Sequence, residues 1–346
     1  MPVPESGATT RRLRRPAGLG PRAVVRVLFG TVVVTPPMFA IPFGLAGLSG
    51  CWRALGESGA TVVADGLTAL SALLTVVLAI PWFAQLVRRR TRLGVELSDP
   101  ARGPSVPVVA ITAMLLSATG LRAWSILGPT LVEVFAVLAV AGGVAVVSAW
   151  LVTRLPLRGY HPGFYLPTAG GSLLAAQGMA GLGREGLAQS LFFVGLASWL
   201  ILGVVTTARL VHTPLPLALR PVMVIELAAP ALAGNTYVVV FGRFDVYCVL
   251  LTAVTVLMAV LQVVLVPYYR RAPLGPASWS AAFSYATAAA LALRWVDHGA
   301  PAGAVLLRAL ALALATAVVV RLSVATLAAG HRGRFVPQDP ALERVR

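Results

Sequence analysis

VYCVLLTAVTVLMAVLQVVLV, residues 246–266, runs from Val246 to Val266 without a single charged side chain. As a helix it is long enough to cross a hydrocarbon core of roughly 30 Å. Pro267, Arg270 and Arg271 then close the run. Stretches of comparable length and apolarity recur from Val24 to Ala329, separated by Arg, Pro and Gly. A chain with one such stretch is anchored; a chain built of them is an all-α integral membrane protein.

Composition agrees. The 346 residues are 58% hydrophobic and 12% charged, with a mean hydropathy of +0.84, whereas a soluble domain is about 25% charged. The net charge of +16 is carried by Arg alone, since the chain has no Lys. In a soluble protein that balance suggests nucleic acid; here most Arg lie in short loops between apolar runs, where positive charge sets topology during insertion. We therefore expect a bilayer and no nucleic acid as partner. The first apolar run is too long, and lacks a small-x-small site, for a cleavable signal peptide. Residues 1–22 and 330–346 read as cytoplasmic tails around a membrane domain at 23–329. Cys51 and Cys248 cannot build a disulfide framework; both fall near the expected outer face, and one bridge or two free thiols remain open readings.

The breaks predict ten helices, at Val24 to Gly50, Thr61 to Val87, Pro107 to Leu121, Pro129 to Val152 and Leu166 to Leu182, then Leu187 to Ala208, Leu217 to Phe241, Asp245 to Val266, Ser278 to Trp295 and Ala302 to Ala329. Arg counts alternate with these spans. One side collects the N-terminal cluster, Arg88 to Arg102, Arg154, Arg158, Arg209, Arg220, Arg270, Arg271 and the C-terminal tail; the other has Arg53, Arg122, Arg184, Arg243, Arg294 and Arg308. The richer side reads as cytoplasm, which puts both termini there in a plasma-membrane protein of five hairpins. Helix breakers gather in odd-numbered helices: Pro36, Pro37, Pro42, Gly44 and Gly47 in the first, Pro167, Gly170, Gly171 and Gly178 in the fifth, Pro221, Pro230 and Gly234 in the seventh. Irregular backbone is tolerated at membrane depth where protein or a water-filled cavity accepts it, while small residues also serve close packing. Either reading suits these helices.

The segment His161-Pro162-Gly163-Phe164-Tyr165-Leu166-Pro167 resembles a motif of the tellurite-resistance/dicarboxylate transporter family, which includes bacterial tellurite-resistance permeases, fungal malate permeases and plant slow anion channels. Ile41-Pro42-Phe43-Gly44-Leu45-Ala46, Pro129-Thr130-Leu131-Val132-Glu133-Val134, Leu191-Phe192-Phe193 with Gly195 and Trp199, and Ala282-Phe283-Ser284-Tyr285 follow in the same order. The resemblance implies odd helices in an inner ring around a pore, even helices outside it, and a homotrimer with one pore per protomer. It also implies an aromatic that occludes the pore from the ninth helix, which alignment through Ala282-Phe283-Ser284 places at Tyr285. Two residues apart are roughly 200° apart on a helix, so Phe283 is then expected to face away.

No cluster of nucleophiles, acids or metal ligands points to an enzyme, and the absence of Lys removes the phosphate-binding Lys of an ATP-driven pump. No cofactor or metal is expected. His161 reads as a loop residue and Glu133 as a carboxylate at a helix N-terminus. Lining candidates are Pro42, Gly44, Pro167, Gly170, Gly171, Pro230 and Thr287. Glu226, a carboxylate within the seventh span, reads as the ion-pair partner of Arg220 or as a coupling group. The expected function is channel-like transport of small anions: monovalent ions, dicarboxylates such as malate, or tellurite-type oxyanions. The alternatives are a proton-coupled dicarboxylate carrier and a non-conducting scaffold or sensor subunit.

Overall fold

The computed structural model describes residues 34–88, 92–120, 126–299, 304–332 and 335. We label its principal helices α1 (Ala40–Arg53), α2 (Ser58–Val87), α3 (Val108–Gly120), α4 (Leu127–Thr153), α5 (Gly171–Gly181), α6 (Glu185–His212), α7 (Ile225–Phe241), α8 (Val246–Tyr269), α9 (Ser280–Asp297) and α10 (Ala304–His331). The fold is all-α and multi-pass, and seven stretches are long and apolar enough to cross a membrane. Those seven are α2, α3, α4, α6, α7, α8 and α10, with α3 and α7 counted together with the turns before them. The start of the first expected helix, 24–33, and Arg89, Arg90, Arg122, Arg334, Arg344 and Arg346 lie outside the described residues.

Helices α1, α5 and α9 fall short of that criterion for a physical reason. Each is interrupted or polar. Pro36–Phe39 precedes α1 as a 3-10 turn, Pro162–Tyr165 and a π-helical turn Leu166–Gly170 precede α5, and Pro276–Trp279 precedes α9. Pro36, Pro162, Pro167 and Pro276 each stand at the first or second position of such a turn, where the missing N–H and fixed φ cost nothing. The segment before α7, Leu217–Val224, is likewise 3-10.

Packing separates the helices into two kinds. Each odd helix touches the next odd one, and α9 returns to α1, while each even helix packs on the odd helix of its own hairpin. Over its most apolar stretch the Leu217–Phe241 segment is 78% buried, whereas α6, α8 and α10 are 17% buried. Leu, Val and Ile on those even helices therefore face outward, as at Leu200, Val204, Leu257, Val260, Leu310 and Val324. Polar bonds tie inner to outer helices: Ser71 donates to the Pro42 carbonyl at 2.7 Å, and Ser49 shares a 2.7 Å bond with Thr68. Cys51 and Cys248 are free and buried, which settles their open reading in favour of two thiols.

Candidate functional site: an apolar cavity lined by stacked phenylalanines

The 3-10 turns meet at one end of the bundle. Pro36–Phe39 touches Gly103–Ser105, which touches Pro162–Tyr165, then Leu217–Val224, then Pro276–Trp279, which returns to the first. Below them lies a cavity of about 70 Å³, room for a few waters. Every odd helix or its leading turn contributes to the wall: Ala40 and Phe43, Val108 and Ile111, Gly170 and Leu173, Ala228 and Leu232, Ser280 and Phe283. Among the described residues the lining is almost wholly apolar, with no Arg, Asp or Glu side chain.

Phe43 and Phe283 lie together on its wall. Their rings stack with centroids 3.9 Å apart and planes 18° from parallel, and both are buried. Two glycines of α1 permit it. A Cβ at Gly44 would lie 2.5 Å from the Ala282 Cβ, and one at Gly47 would lie 2.8 Å from Phe283 Cδ2. These positions are glycine because α9 and the Phe283 ring occupy the space.

Of the two aromatics, Phe283 lines this cavity and Tyr285 does not. Tyr285 is half-buried on the other side of α9, against the cluster of α1, α9 and α10 around Leu45, Leu312 and Val319.

His161 also lines the cavity, at 3% exposure. Its Nδ1 accepts the Gly163 N–H at 3.1 Å, so Nε2 carries the proton and donates to the Pro100 carbonyl at 2.9 Å. Burial pushes its pKa down to about 4, which keeps the ring neutral. It is a pin that fixes the 3-10 turn, beyond the plain loop residue that the sequence suggested.

Tyr165 lines the cavity and turns its hydroxyl outward. That hydroxyl shares a 2.6 Å bond with Thr206 Oγ1 and donates to Glu226 at 3.1 and 3.3 Å. Glu226 thus lies behind the wall. Among the described residues it forms no ion pair, and its expected partner Arg220 instead stacks over the Tyr268 ring at 4.3 Å. Of the expected lining residues, Gly170 is on the wall. Pro42, Pro167 and Pro230 are buried outside it, Gly44 serves helix contact, and Gly171 packs near Ile111. Thr287 is buried, and its carbonyl accepts from Asn235 Nδ2 at 2.8 Å. Glu133 pairs with Arg184 at 3.3 Å. Sequence reading missed Phe43, Gly47 and the leading turns; the Pro residues opening each odd helix were the available signal for the turns.

The chain is thus a multi-span helical membrane protein with an apolar cavity among its odd helices. The family model described as voltage-dependent anion channel matches residues 33–329, and the chain belongs to that family. The resemblance read from its motifs is thereby borne out, and membership in this class of non-catalytic transporters is consistent with a protein that is not an enzyme. Comparison with curated proteins returned no match.

Proposed function

We propose that the chain conducts small monovalent anions through a pore that continues this cavity, and that the Phe43–Phe283 stack occludes it. The observation that carries the reading is that all five odd segments wall one cavity and two of them supply a stacked pair of rings to that wall. In this reading ten helices cross the bilayer as five hairpins, odd helices inside and even helices outside, with both termini cytoplasmic and the turns at the cytoplasmic mouth. Assembly as a homotrimer in the plasma membrane is carried over from the family resemblance.

The wall favours ions that shed water easily. Malate, with two carboxylates, finds no pair of cations among the lining residues, so dicarboxylates and tellurite-type oxyanions rank below monovalent anions. The test is anion flux from purified protein in liposomes. Phe283→Ala removes one ring of the stack and is expected to raise nitrate and chloride flux per folded protein, whereas Tyr285→Ala leaves it unchanged. Raised flux in Tyr285→Ala alone overturns the occlusion assignment.

A second reading rests on the Tyr165–Glu226 contact. A carboxylate bonded to a lining hydroxyl is placed to take up a proton and sense the cavity, as a coupled carrier requires. Glu226→Gln then abolishes anion accumulation driven by a pH gradient and leaves downhill flux intact. Unchanged accumulation, or none in the parent protein, leaves the passive channel.

A further inference from the structure

The helix stripes that wall the cavity continue beyond the stacked rings. On α9 they pass from Ser280, Phe283 and Ser284 to Thr287, Leu291 and Arg294, steps of three and four residues that stay on one face. On α7 the stripe of Ile225, Ala228 and Leu232 continues to Asn235, and on α5 that of Gly170, Leu173 and Leu174 continues to Gln177. The cavity wall is apolar, but the next turns are not. Arg294 Nε donates to Asn235 Oδ1 at 3.0 Å, Asn235 Nδ2 donates to the Ala231 and Thr287 carbonyls at 2.9 and 2.8 Å, and Gln177 Nε2 donates to Thr236 Oγ1 at 2.8 Å.

Arg294 is half-buried, about one turn from the end of α9 and roughly 16 Å along it from Phe283. Three other guanidiniums toward that end form ion pairs: Arg53 with Asp65, Arg184 with Glu133 and Arg308 with Asp297. Arg294 has no acidic partner among the described residues. It is held by an amide, which orients the guanidinium through one N–H and leaves its charge and its Nη1 and Nη2 donors uncommitted. A cation left unneutralised within a span is costly and is a functional candidate by default.

We propose that Arg294, positioned by Asn235, is an anion-binding station on the far side of the Phe43–Phe283 stack, and that it takes planar monovalent oxyanions such as nitrate in preference to halides. The preference follows from geometry. Nη1 and Nη2 present two parallel N–H bonds, which match two oxygens of one planar anion and reach a spherical ion less well. The station rests on the conduction reading for its role, but not for its existence, since binding can be measured without flux.

The test uses the full chain in detergent and in liposomes, with sodium nitrate and sodium chloride as probes. Nitrate is expected to raise the unfolding temperature saturably and at lower concentration than chloride. Arg294→Ala should shift the half-saturating nitrate concentration upward by about tenfold or more, while Arg294→Lys keeps a chloride response and loses the advantage of nitrate. Arg294→Gln, which retains a donor for Asn235, is the second variant should the alanine form fail to fold. In a Phe283→Ala background, Arg294→Lys should lower the nitrate-to-chloride permeability ratio. An undiminished nitrate response in both Arg294→Ala and Arg294→Gln overturns the station, and a full nitrate preference in Arg294→Lys overturns the forked geometry. If Phe283→Ala passes no anion yet Arg294→Gln abolishes the nitrate response, conduction fails and the station stands. If Phe283→Ala conducts and the nitrate response survives in the Arg294 variants, the station fails and conduction stands.

Discussion

Gly163 shows how tightly a short motif can be specified. Any Cβ there would sit 2.6 Å from His161 Cε1, because the ring folds back to accept the Gly163 N–H while its other nitrogen reaches the Pro100 carbonyl. The ring must stay neutral to do both. Its pKa in the folded protein is about 4 against an ordinary 6.5, so as pH falls the unfolded chain takes up the proton first. Stability from this site is therefore fully present above about pH 6.5 and is lost as pH falls toward 4, a total of about 3 kcal/mol. Unfolding temperatures of detergent-solubilised protein across that range should fall with pH. His161→Asn, whose amide can bond the same two groups and does not titrate, should flatten the dependence; an equally steep fall in the variant assigns it to other groups.

At the scale of elements, the contact between α1 and α9 decides how close the aromatic rings come. Gly44→Ala forces a Cβ against the Ala282 Cβ at 2.5 Å, a clash between two helices, and should cost about 1–3 kcal/mol. Gly50→Ala, with nothing within 4 Å, should be neutral or gain up to about 1 kcal/mol from helix propensity; equal effects in a thermal unfolding comparison would show that the close approach is unimportant. Such contacts explain what was legible in the sequence. Helix positions were, because a run such as Val246–Val266 can be little else, and the Pro and Gly of the odd segments marked the helices that bury themselves in protein. The facing of a side chain was not. Phe283 and Tyr285 are both aromatic and two residues apart, and only the depth of Gly44 and Gly47 on a helix distant in sequence selects Phe283 for the cavity. Glu226 was visible as an anomaly, but its partner Tyr165 comes from a turn 61 residues away. Arg294 fell inside the expected helix Ser278 to Trp295 and was counted only toward topology; its partner Asn235 comes from α7, 59 residues away.

Across the whole molecule, charge is sorted by end. Helix connectivity places Arg88, Arg92, Arg102, Arg154, Arg158, Arg209, Arg220, Arg270, Arg271, Arg321 and Arg332 toward the end bearing the 3-10 turns, against the acids Glu96, Asp99 and Glu226. The opposite end has Arg53, Arg184, Arg243, Arg294 and Arg308 with Glu57, Asp65, Glu133, Glu185, Asp245 and Asp297. Two consequences follow from different terms. Insertion is governed by positive residues toward span ends, with acids contributing little, so eleven described Arg against five predict that the 3-10 end is cytoplasmic. The electrostatic potential depends on the balance of both signs, so the same end concentrates anions while the opposite end, near neutrality, relies on a single oriented guanidinium. A reporter fused after Arg346 and another inserted in the 88–102 loop should both report cytoplasm, and one inserted at Arg243 should report the outside. The Arg346 and Arg243 fusions reporting one compartment would break the ten-span topology. If those two report as expected but the 88–102 loop reports the outside, the error lies among α3 to α7, the helices between that loop and Arg243.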